Sequence, residues 1–118
     1  MSQGNRLEKT TRINLLFAFY EPLLTDKQQT FLKYYFHDDF SLGEIAAEFD
    51  ISRQAVYEHI KRAEVVLENY EDKLGLLGKH ETRVRVLDEL KGFTAEAGLA
   101  QPDQERLMRL INQLRSLE

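Results

Sequence analysis

The chain reads as an all-α protein built on a helix-turn-helix, and three observations carry that reading. Apolar residues recur at intervals of three and four rather than two. Proline interrupts the chain only at Pro22 and Pro102. Two capping boxes, Thr25 with Gln28 and Ser41 with Glu44, mark helix starts, because hydroxyl and N3 side chain each satisfy a backbone N–H that a helix end leaves unpaired. From Thr11 onward, Ile13, Leu16, Phe17, Tyr20 and Leu24 mark one face, and Pro22 disfavours helical geometry at Glu21, so the first helix ends there. The second opens on Thr25 and presents Phe31, Leu32, Tyr35 and Phe36 on one side. After the polar break His37-Asp38-Asp39, Ser41 caps a third helix of about nine residues, with Leu42, Ile45, Ala46 and Phe49 inward. Asp50 and Ile51 turn the chain and Ser52 caps a fourth helix. Its apolar positions Val56, Ile60, Ala63, Leu67, Tyr70 and Leu74 repeat as a heptad seam. A helix from Ser52 to Leu74 is roughly 34 Å long, more than helices two and three cover, so its far half needs another partner. Gly75 and Gly78 end it. Thr82 to Lys91 forms a shorter fifth helix closed by Gly92, residues Phe93 to Gln101 show no period, and Pro102 suits the first turn of a last helix.

At 118 residues, 42% apolar and 31% charged, the chain has room for one soluble domain over 1–118. Within it, 24–74 is the helix-turn-helix region, 41–62 its core motif, and 75–118 a C-terminal helical extension. No run of eighteen apolar residues and no basic start before an apolar stretch occurs, so a cytoplasmic protein is expected. Cysteine is absent, which excludes disulfides, thiol catalysis and cysteine-ligated metal. His37, His59 and His80 are scattered and the serines fall at termini or caps, so no nucleophile and base pair up. Gly75-Leu76-Leu77-Gly78 lacks the Lys-Ser or Lys-Thr of a phosphate loop. Three adjacent residues cannot all face one ion, so His37-Asp38-Asp39 reads as a solvated loop. Binding without catalysis, cofactor or metal is the expectation.

Ser41 to Arg62 carries the functional argument. Ala46 and Ala47 let two helices cross closely, while Ile51, Val56 and Ile60 fill the wedge between them. Ser52, Arg53, Gln54 and Tyr57, with Lys61 and Arg62 beyond them, form the candidate nucleic-acid-binding set. The N-terminal part of a recognition helix meets base edges in a major groove, where Arg pairs naturally with guanine and Gln with adenine. Lys61 and Arg62 anchor phosphate, Ser52 caps the helix so that its N–H groups face an anion, and His59 is exposed beside them. Asp50 and Glu58 oppose an anion.

Leu24-Thr25 through Arg62, above all Ser41-Leu42-Gly43-Glu44-Ile45-Ala46 and Ile51-Ser52-Arg53-Gln54-Ala55-Val56, resembles the minus-35-reading domain of sigma factors, within the winged-helix-like DNA-binding superfamily. Over nearly the whole chain the resemblance is closer to the YlxM-type helix-turn-helix proteins. Arg12-Ile13-Asn14-Leu15-Leu16, Tyr34-Tyr35, Ser52-Arg53-Gln54-Ala55-Val56-Tyr57 and Tyr70-Glu71-Asp72-Lys73-Leu74 carry it. That resemblance implies a gene beside that of the signal recognition particle GTPase and a regulatory role in co-translational protein targeting. DNA is therefore one expected partner. The alternative is an accessory factor that contacts the particle's RNA or GTPase.

Two features depart from a DNA-binding helix-turn-helix. Asp50 stands where glycine is common, although Asp tolerates left-handed backbone. The net charge of −4 is also concentrated in the motif. Residues 41–74 carry eight anions against the four cations Arg53, Lys61, Arg62 and Lys73. Three phosphate contacts give a salt slope of about −2.7 per subunit, so nonspecific DNA binding should be weak. Duplex recognition calls for a dimer, since one short helix reads few base pairs. Val66, Leu67, Tyr70 and Leu74, with Leu107, Leu110, Ile111 and Leu114 of the last helix, offer a dimerisation surface, or else pack on each other within one chain.

Overall fold

A computed structural model describes residues 3–117, with side chains from residue 6 onward. Among them the backbone forms six α-helices and no strand: α1 (Gln3–Tyr20), α2 (Asp26–Leu32), α3 (Leu42–Phe49), α4 (Arg53–Leu74), α5 (Leu76–Glu96) and α6 (Gln101–Ser116). A 3-10 turn, Glu21–Leu23, follows α1, and a π-turn, Lys33–His37, follows α2. The chain divides into two compact units, Met1–Leu77 and Gly78–Glu118.

In the first unit both capping boxes form. Thr25 Oγ1 accepts from the Gln28 N–H at 3.1 Å while Gln28 Oε1 accepts from the Thr25 N–H at 2.9 Å. Ser41 and Glu44 make the same reciprocal pair at 3.0 and 2.9 Å. The π-turn is a departure from the expected plain helix end: the Asp38 N–H donates to Lys33 O at 2.8 Å, five residues back, and the Phe40 N–H donates to Tyr34 O at 2.8 Å. One wide turn thus swings Tyr34, Tyr35 and Phe36 over the end of α2, and the burial of Phe36 favours it.

The core is organised around α4, whose Val56, Ile60, Ala63 and Leu67 are all at most 2% exposed. Ile13, Leu16 and Tyr20 of α1, Phe31 and Leu32 of α2, and Ile45 and Ala46 of α3 complete the cluster. Ala46 alone sits at the close crossing of α3 with α4; Ala47 is exposed. Phe49 stands at the rim, 37% exposed, with its ring 4.9 Å from that of Phe31. The far half of α4 finds its partner in α1, which begins well before Thr11 and is 18 residues long. Arg12 grips Glu68 with two N–H donors, each at 2.8 Å, and the Tyr70 hydroxyl donates to Leu23 O at 3.1 Å. The guanidinium holds the Glu68 carboxyl below the usual carboxylate range.

Gly75 ends α4 in left-handed backbone at φ 63°, as expected of a C-cap glycine. Gly78, expected to act with it, lies inside a new helix that starts at once. The start is possible because side chains of the first unit replace a local cap. The buried Tyr20 hydroxyl donates to Glu71 Oε1 at 2.6 Å and accepts from the Leu76 N–H at 3.0 Å. Glu71 Oε1 also accepts from the Leu77 N–H at 3.1 Å. Two orphan N–H groups of the α5 first turn are thus satisfied, one by a residue 56 positions away in sequence and one by a residue six positions away.

The second unit contains the rest of α5, a turn with Gly98 at φ 67°, and α6 with Pro102 in its first turn. Gly92 does not close the helix, which runs on to Glu96: the site is open, and glycine there weakens an exposed helix by about 1 kcal/mol without breaking it. Leu87, Thr94 and Ile111 are buried, Thr94 with its hydroxyl donating to Leu90 O at 2.8 Å, and Arg115 of α6 pairs with Asp88 of α5.

The expected dimerisation set separates under these facts. Leu67 belongs to the core of the first unit, Ile111 is 1% exposed, and Tyr70 is turned inward with its ring 5.8 Å from that of Tyr20. Leu67, Ile111 and Tyr70 are taken up within the chain, each inside its own unit, and so are not available to a dimerisation surface. Val66 and Leu107 are half-buried, while Leu74, Leu110 and Leu114 are 43 to 48% exposed.

Tyr20→Phe removes an acceptor and a donor from the junction of α4 with α5. The expected loss is about 1–3 kcal/mol, seen as a lower urea midpoint at unchanged slope.

Candidate nucleic-acid interface

Asp50 closes α3 in left-handed geometry at φ 54°, ψ 48°. Its N–H and that of Ile51 both donate to Ala46 O, the latter at 3.1 Å, and the partly buried Ile51 side chain pins the turn against the core. Ser52 then takes extended backbone and accepts from the Ala55 N–H at 3.0 Å, which starts α4. The α3–turn–α4 unit is therefore held at both ends of its turn, and the buried α4 seam fixes which side chains face out.

Those side chains fall into two rows at i, i+4 spacing. In one, Gln54 donates an amide N–H to Glu58 at 3.2 Å, and Arg62 follows one turn on. Glu58 thus occupies part of the hydrogen-bonding capacity of Gln54 and places a negative charge between it and Arg62. In the other row, Arg53, Tyr57 and Lys61 line a groove together with Arg6 and Lys9 of α1. The Lys61 ammonium lies 5.5 Å from the centre of the Tyr57 ring, and Tyr57 is 44% exposed. Arg53 has no ion-pair partner among the described residues.

Glu64 sits at the inner end of this row, with its carboxylate 3.0 Å from the Lys9 ammonium and 3.8 Å from that of Lys61. The neighbouring Lys9 charge holds the Lys61 pKa below its ordinary value, and partial burial adds to the effect. Sequence reading missed Arg6 and Lys9. Their signal was the three-residue spacing of Arg6, Lys9 and Arg12, which puts three cations on one side of a helix. Two of them engage α4 carboxylates, Lys9 with Glu64 and Arg12 with Glu68, so part of the acidic excess in 41–74 is neutralised from outside that segment.

His59 is half-buried rather than exposed. Its ring stacks on Phe31 at 4.9 Å and 8°, on the side of α4 that faces α2. Burial, then the charges of Lys27 and Arg62, push its pKa down, which favours the neutral ring. Among the described residues no group of three His, Asp or Glu gathers to hold a metal, and no helix is long and apolar enough to cross a membrane.

Residues 7–110 match the family described as "Putative helix-turn-helix protein, YlxM / p13 like", UPF0122. The chain belongs to this family. Its UPF0122 relative from Halalkalibacterium halodurans is 54% identical over 112 residues, covering 95% of this chain and 99% of the relative. The relative from Anoxybacillus flavithermus is 51% identical over the same shares, and one from Bacillus thuringiensis is 51% identical over 92% of this chain and 98% of its own length. The matched segment includes the whole α3–turn–α4 unit.

The depressed His59 pKa gives a signed pH dependence. Unfolded chains take up a proton as pH falls through about 6.5 while the folded chain resists it, so stability drops from there and levels off below the folded pKa. His59→Phe should abolish this part of the loss in denaturant midpoints measured between about pH 7.5 and 5.

Proposed function

We propose that this UPF0122 chain is a regulatory protein that binds duplex DNA as a homodimer, with α4 as the recognition helix. The observation that carries the reading is the α3–turn–α4 geometry. A left-handed Asp50 and a Ser52 cap deliver Arg53, Gln54 and Tyr57 to the exposed start of a helix anchored by Val56 and Ile60. Arg53 and Gln54 read bases, Lys61 and Arg62 contact phosphate, and Ser52 leaves the α4 N-terminus open to a phosphate oxygen. The ion pairs from α1 to Glu64 and Glu68 support this reading, since they lower the repulsion that the segment's own charge would exert. The process served is the signal recognition particle pathway, on the strength of the YlxM resemblance.

Dimerisation is assigned to the second unit. Three buried side chains among its described residues are few for a two-helix element, and Leu110 and Leu114, each 48% exposed, form an i, i+4 pair on α6. Leu110→Asp with Leu114→Asp should convert a dimer to a monomer in sedimentation at tens of micromolar. A wild-type monomer at that concentration removes the proposal.

Crosslinking in the native cells followed by parallel sequencing of bound DNA and RNA tests the function itself. Discrete promoter fragments are expected, and on such a fragment Arg53→Ala with Gln54→Ala should abolish preference over unrelated duplex. Lys61→Ala should weaken all sequences alike and reduce the salt slope by about 1 per subunit. Recovery of the particle's RNA without DNA would overturn duplex reading in favour of an accessory role on the particle.

A further inference from the structure

The row Arg53, Tyr57 and Lys61 does not stand on an open surface. It forms one wall of a groove of about 520 Å³, closed on the other side by α1 and by the π-turn with the link that follows it. That volume lies in the range of small-ligand sites. Arg6, Lys9, Arg53 and Lys61 contribute four positive charges to the lining, against the carboxylates of Asp39, Glu44 and Glu64, in a chain whose net charge is −4. Two of those carboxylates are committed. Glu44 accepts from the Ser41 N–H in the capping box at 2.9 Å, and Glu64 is shared between two ammonium groups. Arg6 and Arg53 have no carboxylate partner among the described residues. Beside the cations stand two partly exposed rings, Tyr57 at 44%, with the Lys61 ammonium 5.5 Å from its centre, and Phe40 at 37%, packed 4.9 Å from the ring of Tyr34. Unpaired guanidinium groups and a doubly shared carboxylate call for an anion, and accessible aromatic faces call for a planar partner.

We propose that this groove binds a single nucleotide unit, with its phosphate at Arg53, Lys61, Lys9 and Arg6 and its base against Tyr57 or Phe40. The unit is either a free nucleotide or an unpaired nucleotide of a single strand; the recognition chemistry is the same. Where α4 reads duplex DNA, the nucleotide uses Arg53, Tyr57 and Lys61 that the duplex also needs, so the two exclude each other and the nucleotide acts as an effector. That last step rests on the proposed duplex reading; nucleotide binding does not.

The test is titration of the isotope-labelled full chain, followed by amide NMR, with AMP, GMP and their diphosphates, with a short single-stranded oligonucleotide, and with inorganic phosphate. Saturable shifts confined to residues 6–10, 35–42 and 53–61 are expected with at least one nucleotide probe. Tyr57→Leu and, separately, Lys9→Gln should each weaken binding about tenfold, the loss expected for one stacking or charged contact. Both substitutions are at exposed positions, and an unchanged melting temperature verifies the fold. Saturation by mononucleotides identifies a free ligand, and saturation by the oligonucleotide alone identifies a strand. No saturable shifts with any nucleotide probe, or equal affinity for inorganic phosphate, overturns the proposal. Competition is measured separately on a recovered promoter fragment: a bound nucleotide that leaves duplex affinity unchanged overturns the effector step alone. Absence of duplex binding beside intact nucleotide binding overturns only the duplex reading.

Discussion

Burial of one face of α4 is the constraint on which the rest of the first unit depends. Val56, Ile60, Ala63 and Leu67 form a stripe that α1, α2 and α3 all cover, so a single helix is the shared wall of the core. A helix held along about three turns cannot rotate about its axis without exposing that stripe. Its outward side chains are therefore oriented by the core and not by the turn alone. Arg53, Gln54 and Tyr57 owe their direction to Val56 and Ile60 beneath them. Ala63 shows the same constraint from the other side: with no exposure at all, it leaves α1 close enough for Lys9 and Arg12 to reach across.

Charge placement follows from that packing. Taken along the sequence, residues 41–74 are acidic and unsuited to nucleic acid. In three dimensions the basic side of α1 lies against Glu64 and Glu68, and the carboxylates become the anchors of α1. The pairing does a structural and an electrostatic job together, docking the first helix while offsetting the negative charge of α4. Exposed ion pairs contribute little to stability one by one. Their consequence here is that two of the α4 carboxylates are balanced by cations of α1.

The passage from α4 to α5 has a related logic. A helix that ends on a left-handed glycine and another that begins at the next residue would leave N–H groups without partners, and a surface cap residue is missing from the sequence there. Tyr20 and Glu71 supply the acceptors from within the first unit. The first N–H groups of α5 are thus satisfied from within the first unit, one of them by a phenol buried at the end of α1.

What the sequence determined by itself were the features whose cause lies within a few residues. The Thr25–Gln28 and Ser41–Glu44 boxes, the Ser52 cap, the left-handed Asp50, the Gly75 stop and the first four positions of the six-position α4 seam each depend on near neighbours in sequence, and each was legible. The outward positions of Arg53, Gln54 and Tyr57 were legible for the same reason, since they follow once a seam is known. Tertiary structure alone decided the rest. Helix α5 starts at Leu76 because the distant Tyr20 hydroxyl accepts from its first N–H, α2 widens into a π-turn because Phe36 finds a buried site, and His59 is half-buried because Phe31 lies under its ring. Arg6 and Lys9 reach the candidate site because α1 packs along α4. In every such case the deciding partner is a score or more residues away, or a choice between two local geometries of nearly equal energy that only packing resolves.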